Sequence, residues 1–185
     1  SFGSLYGLRP TQGMVSRDGV VPLSHTQDIP GPLARTVSDL AIALDATIGF
    51  DPIDSATHVL QGRTLPRFAD SLRADALRGA RLGVLTNLFS GTDGDVERVL
   101  RAALDSMKGR GAEVVDVTIP DFDSLLAGAR AVDFETKFDL QDYLAADPDA
   151  PVRSVGQILE QGLLHAALEA RFRRVDSATA RETDA

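Results

Sequence analysis

The chain has 185 residues, 43% of them hydrophobic and 25% charged, which suits one globular domain with a core of its own. A formal net charge of −8 argues against nonspecific nucleic-acid binding, which needs clustered cations to neutralise phosphates. The absence of cysteine excludes disulfides and thiolate metal sites, and no apolar run approaches the roughly 18 residues of a membrane-spanning helix.

The first stretch is dense in backbone-special residues. Gly3, Gly7, Gly13, Gly19 and Gly31 alternate with Pro10, Pro22, Pro30 and Pro32. Glycine permits close backbone approach and proline fixes φ, so the run predicts an irregular path of short strands and turns. Interleaved Phe2, Leu5, Tyr6, Leu8, Val15, Val20 and Val21 argue against a solvated linker. Residues 19–23 read as one strand, ending near Ser24, with His25 and Asp28 in the loop beyond. Ser24, His25 and Asp28 invite a catalytic-triad reading, which we reject. Adjacent side chains on an extended segment point to opposite faces, so Ser24 and His25 are poorly placed for proton transfer. Turn capping is the simpler role.

A helix is predicted over 37–48. Thr36 caps it, Asp39 occupies the third position, and Gly49 supplies the stop. Val37, Leu40, Ala41, Leu44 and Ile48 recur at helical spacing and form one apolar face. Arg35 leads into this helix and is expected to be buried, pairing with Asp28 or Asp39. Asp51 and Asp54 lie in a turn and, without a third ligand, do not make a metal site. Residues 55–78 read as a loop with one short helix around 68–72.

Residues 80–119 form a strand–helix–strand unit. Arg81 to Thr86 is the first strand and Val114, Val115 and Val117 mark the second, with Pro120 ending it. Between them a helix opens near Thr92 or Asp93 and closes at Gly109, with Val96, Val99, Leu100, Ala103, Leu104 and Met107 on one face. This order implies parallel strands with a right-handed crossover. The intervening turn lacks a nucleotide-binding glycine pattern, and Asp93 and Asp95 would repel a phosphate there.

Residues 122–146 are predicted mostly helical, with Phe134, Phe138, Tyr143 and Leu144 buried. Asp147 to Pro151 breaks this segment, and a capping box from Ser154 to Gln157 opens another helix. Its stripe begins with Val155, Ile158 and Leu159 and continues through Leu163, Leu164, Ala167, Leu168 and Phe172. His165 has no ligand-type neighbour, the cluster at 171–174 reads as a solvated face, and the tail from Ser177 to Ala185 as frayed.

Two blocks carry a family resemblance. Tyr6-Gly-Leu-Arg-Pro-Thr-x-Gly-x-Val-Ser16 is similar to the segment that follows the catalytic serine loop of the amidase signature hydrolases. Asp28-x-x-Gly-Pro-x-Ala-Arg-Thr-Val-x-Asp39 resembles the next block of that family, in the family's order. The resemblance implies an α/β fold, part of the amidase signature fold, with a mixed central sheet flanked by helices. It implies one partial domain over 1–185, with a core motif segment at 1–54, a βαβ unit at 80–120 and a mainly helical segment at 122–176. It also implies amide-bond hydrolysis by a serine, a second serine in a cis peptide and a lysine. None of the three maps onto this chain, so by resemblance the chain is an interior fragment beginning just after the nucleophile loop, inactive alone. No residue here is expected to be catalytic. Asp28, Phe138 and Tyr143 are the expected substrate-wall residues, and Gly31, Pro32, Arg35 and Asp39 the structural motif. No cofactor and no metal are expected. The expected partner is a small-molecule amide, without nucleic acid or membrane, in the cytoplasm. The alternatives are a noncatalytic α/β binding module and the amidase subunit of a tRNA-dependent amidotransferase.

Overall fold

The computed structural model describes residues 3–89, 91–129 and 131–181. Phe2 and the tail residues 182–185 of the sequence reading lie outside the described residues. The chain is α/β and divides into two compact units, one from 1–69 with 130–185, the other from 70–129.

In the first unit, β1 (Tyr6–Gly7) pairs antiparallel with β2 (Leu33–Ala34), setting Tyr6 against Ala34 and Gly7 against Leu33. Next to this pair the chain crosses itself closely. A Cβ on Gly31 would lie 2.0 Å from the Leu8 carbonyl oxygen, so only glycine fits, while the Leu8 amide donates to Pro32 O at 3.2 Å. This explains Gly31-Pro32 as a close-approach pair. No strand forms over 19–23; from the turn at Gly19 the stretch runs on without regular secondary structure. Tyr6, Val20 and Val21 stay exposed, so hydrogen bonds rather than apolar burial order this segment.

Helix α1 (Val37–Thr47) starts as read, with Thr36 Oγ1 accepting from the Asp39 amide at 3.0 Å. Leu40, Ala41 and Leu44 are buried, whereas Val37 at the helix start is exposed. The stop differs from the reading. Gly49 does not adopt a left-handed conformation; Ile48 turns extended and bridges to Val15, and the Gly49 amide donates to Met14 O at 3.0 Å. Pairing with the earlier segment ends the helix. A 3-10 helix over Ser55–Leu60, unforeseen in the sequence, is capped by Asp54. The turn near Phe68 hangs on Asp45, which accepts from the Phe68 and Ala69 amides at 2.6 and 3.1 Å.

In the second unit, β3 (Arg81–Leu85) and β4 (Glu113–Val117) are parallel, joined by α2 (Gly94–Gly109); α3 (Phe122–Gly128) follows. Asp93 caps α2 by accepting from the Asp95 amide at 2.9 Å. The helix closes at Gly109 as read, with its cap at Arg110, and the left-handed glycine beyond the cap is Gly111, at φ 95°. Val96, Val99 and Leu100 of the α2 apolar face are exposed within this unit.

The chain then returns to the first unit with α4 (Ala131–Ala146), α5 (Val155–Glu160) and α6 (Glu169–Asp176). Leu140, Val155 and Val175 form their shared core, with Leu144, Ile158, Leu159 and Phe172 packed around it. Ser154 caps α5 by accepting from the Gln157 amide at 3.1 Å, while Gln157 Oε1 reaches the Arg153 amide instead of Ser154's own. The apolar stripe does not run on as one helix. Gly162, at φ 64°, turns the chain, Leu163 is exposed, and His165 Nδ1 caps a 3-10 turn over Ala166–Leu168. Arg153 terminates α4, donating to Leu144 O at 2.9 Å and Asp147 O at 2.5 Å. Lys137 does the same for α6, donating to Asp176 O at 2.6 Å and Ala178 O at 3.1 Å.

Candidate functional site

The most densely bonded part of the first unit is the segment 23–26, which lies on α4 without regular secondary structure of its own. Each of its backbone polar groups has a partner. The Leu23 and Ser24 amides donate to Asp28 Oδ2 at 2.7 and 2.9 Å. The His25 amide donates to Asp139 at 2.6 Å and the Thr26 amide to Glu135 at 3.1 Å. Among the carbonyls, Ser24 O accepts from the Asp28 amide at 2.8 Å and Thr26 O from Gln12 Nε2 at 2.8 Å. His25 O accepts from both Gln12 and the Arg17 guanidinium. Leu23 O lies 2.5 Å from the Thr136 hydroxyl, which is as close to Val132 O and donates to one at a time.

Glu135 is the centre of this arrangement. It is 2% exposed and takes the Ser24 hydroxyl at 2.6 Å and the Thr26 hydroxyl at 2.8 Å, besides the Thr26 amide. Burial pushes its carboxyl up, but the hydrogen bonds from Ser24 and Thr26 outweigh that and hold it below the usual glutamate range. Asp139, one turn on, goes the other way. Burial raises its carboxyl, reinforced by neighbouring Glu135, against the His25 amide and the Arg181 guanidinium at 3.3 Å.

Arg17 and Asp54 form a second fixed point. Arg17 Nε and Nη2 meet Asp54 Oδ2 and Oδ1 at 3.0 and 2.5 Å, and the Arg17 amide adds a third bond at 2.9 Å. The fork holds the Asp54 carboxyl far below the usual range and raises Arg17 further. Asp51 accepts from Ser16 Oγ at 2.6 Å, which lowers its carboxyl too. Both aspartates are thus engaged in holding turns. Among the described residues no His, Cys, Asp or Glu group is arranged to hold a metal, and no helix is long and apolar enough to cross a membrane.

A hollow of about 610 Å³ opens between this frame and the later turns of α4. His25, Arg17, Tyr143, Asp142 and Arg181 are on its wall. His25 also borders a smaller hollow of about 370 Å³, with Gln12 and Thr26.

The expected wall residues separate on this geometry. Tyr143 lines the larger hollow. Phe138 lies five residues earlier on α4 and is not on the wall of that hollow, with Arg181 Cζ 5.7 Å from its ring centroid. Asp28 is turned back onto the Leu23 and Ser24 amides. The rejected triad is absent from the geometry, since Ser24 is bonded to Glu135 and Asp28 to backbone. Arg35 is exposed rather than buried, and Asp28 is occupied by amides, so their expected pairing does not form. The exposed Asp39 gives α1 its cap through its amide.

Sequence reasoning missed Glu135, Thr136 and Asp139. It assigned the inner face of α4 to aromatics, but Phe134 and Tyr143 are 40% and 37% exposed, and the buried positions are Glu135, Thr136, Asp139 and Leu140. The available signal was two acids four residues apart, flanking Thr136 and followed by Leu140, which places them on one helical face.

The comparisons with known proteins agree with this fold. The family described as Amidase matches residues 1–183. A probable amidase of Arabidopsis thaliana is 34% identical over 167 residues, which is 86% of this chain and 31% of that protein. A glutamyl-tRNA(Gln) amidotransferase subunit from Acaryochloris marina is 42% identical over 117 residues, 63% of this chain and 23% of that protein. Among solved structures, native peptide amidase from Stenotrophomonas maltophilia superposes with a TM-score of 0.78 at 29% identity, covering 95% of this chain and 37% of that one. The chain therefore spans between about a quarter and a third of the length of these curated relatives. With its α/β fold and a family match over nearly its full length, the chain belongs to the amidase family.

Proposed function

We propose that the protein hydrolyses the carbon–nitrogen bond of a small linear amide through an acyl-enzyme, and that this chain forms scaffold and substrate wall. The observation that carries the reading is the superposition on a peptide amidase over 95% of the chain. In that chemistry a serine attacks the amide carbonyl while backbone amides hold the oxyanion, the C–N bond breaks as protonated nitrogen leaves as ammonia or amine, and water then hydrolyses the acyl ester to release the acid and the serine. No residue described here is assigned the part of that serine, of the second serine or of the lysine base. Tyr143 faces the acyl or amine part of the substrate in the hollow, while Asp28 holds the segment before it through the Leu23 and Ser24 amides.

The test is made on the full-length natural protein. Ammonia release from peptide amides and simple carboxamides is measured, with mass spectrometry of an acyl adduct on serine. Turnover with an adduct supports the reading; no turnover on either class and no adduct overturns it. The 185 residues alone are expected to show no amidase activity, and serine-dependent turnover by them would contradict the division of labour.

A second reading, the amidase subunit of an amidotransferase, is favoured by the 42% identity to such a protein. It stands behind the first because that identity covers 63% of the chain, whereas the probable amidase match covers 86%. Glutamine-dependent amidation that appears only with added partner proteins would reverse the order. A noncatalytic binding module is the outcome if neither activity is found.

A further inference from the structure

We propose that Glu135 is a positioning residue for the reaction, acting through the segment 23–26 to present His25 to the hollow. This rests on the amidase reading above. Glu135 is 2% exposed and 109 residues from Thr26 in sequence, yet it receives three separate donors from Ser24 and Thr26, on either side of His25. Asp139, also on α4, takes the intervening His25 amide. The segment is thereby held on one helix face through the Ser24 hydroxyl before His25 and through the main-chain amides of His25 and Thr26.

Packing alone does not call for this arrangement. An apolar side chain would fill the same space without the desolvation cost of a buried carboxylate. What the carboxylate adds is direction: three convergent donors define the orientation of a segment that has no helix or strand to define it. Ser24, bonded to Glu135, is fully buried, whereas His25 is exposed and borders both hollows. The ring so presented stands with Tyr143 and Asp142 on the wall of the larger hollow. We therefore assign His25 to contact with the part of the amide substrate away from the scissile bond, as a polar group that can donate or accept a hydrogen bond.

The experiment is a double-mutant cycle in the full-length natural protein, with Glu135→Gln, His25→Ala and the combination. Glutamine keeps the shape but cannot accept from three donors at once. Each single substitution is expected to lower kcat/KM for peptide amides about tenfold, and the double mutant to be no worse than His25→Ala alone. Additive losses, or unchanged kcat/KM in Glu135→Gln, overturn the proposal. Thr26→Val, which removes one donor and keeps the carboxylate, serves if Glu135→Gln does not fold. Its expected loss is several-fold and disappears in the His25→Ala background.

Amide hydrogen exchange supplies an arm independent of turnover. In Glu135→Gln the His25 and Thr26 amides are expected to exchange at least about tenfold faster while the α6 amides are unchanged. Unchanged exchange at these two amides overturns the frame whatever the activity. A wild-type protein without amide hydrolysis but with this exchange response would remove the amidase reading and leave the frame standing.

Discussion

Ser24 donates to Glu135 at 2.6 Å across 111 residues of sequence. Both groups are sealed from solvent, and the bond ties the segment between the two family-like blocks to the second turn of α4. Removing the hydroxyl leaves the carboxylate buried with fewer donors. Ser24→Ala is expected to lower stability by about 1–3 kcal/mol. Urea midpoints of the full-length protein check this, and a midpoint equal to wild type would contradict it.

The Arg17–Asp54 fork gives a larger effect with a defined pH dependence. The side chains are 10% and 5% exposed, so truncating Arg17 leaves Asp54 buried without its partner. Arg17→Met is expected to cost about 3–5 kcal/mol at neutral pH. Asp54 has a depressed carboxyl, so its stabilisation is full above the unfolded aspartate value of about 3.9 and is lost as pH falls toward the folded one. The difference between wild type and Arg17→Met should therefore narrow on acidification. Urea titrations at neutral and acid pH test it; a gap that stays constant would remove the ion pair as the cause.

Asp139 has the opposite sign. Its folded carboxyl is raised, so the protonated form suits the fold better than the ionised one. Its favourable contribution is present below the unfolded value and lost as pH rises through the folded one. Asparagine keeps an acceptor for the His25 amide and removes the buried charge beside Glu135. Asp139→Asn is expected to be neutral or stabilising by up to about 1 kcal/mol at neutral pH, with the difference vanishing in acid. Clear destabilisation at neutral pH would show that the Arg181 contact outweighs burial.

Gly31 tests the close crossing beside β1 and β2. Its Cβ position meets a carbonyl oxygen of the main chain, not the end of a flexible side chain. Gly31→Ala is expected to destabilise by about 1–3 kcal/mol. Gly49→Ala, where a Cβ meets nothing within 4 Å, is the control and should change little. Thermal melts of the two variants decide the matter, and equal melts would mean that the crossing relaxes at no cost.

Local chemistry made much of this protein legible in its sequence. The start of α1 follows from Thr36, the strand–helix–strand unit from its periodicity, and the cap of α5 from Ser154, because each depends on residues within a few positions. The family blocks were legible for the same reason, since their glycines and prolines write backbone geometry directly. What only the tertiary structure decided is which polar residues are inside. Glu135 and Asp139 have the composition of a solvated face, and aromatics such as Phe134 and Tyr143 that of a buried one. The donors of residues 23–26 reverse this by offsetting the desolvation of the carboxylates, and those donors lie more than a hundred residues away. The end of α1 was decided likewise, by the pairing of Ile48 with Val15 and not by the glycine that follows it. Periodicity reports which side chains could be buried; the partners brought by the fold decide which ones are.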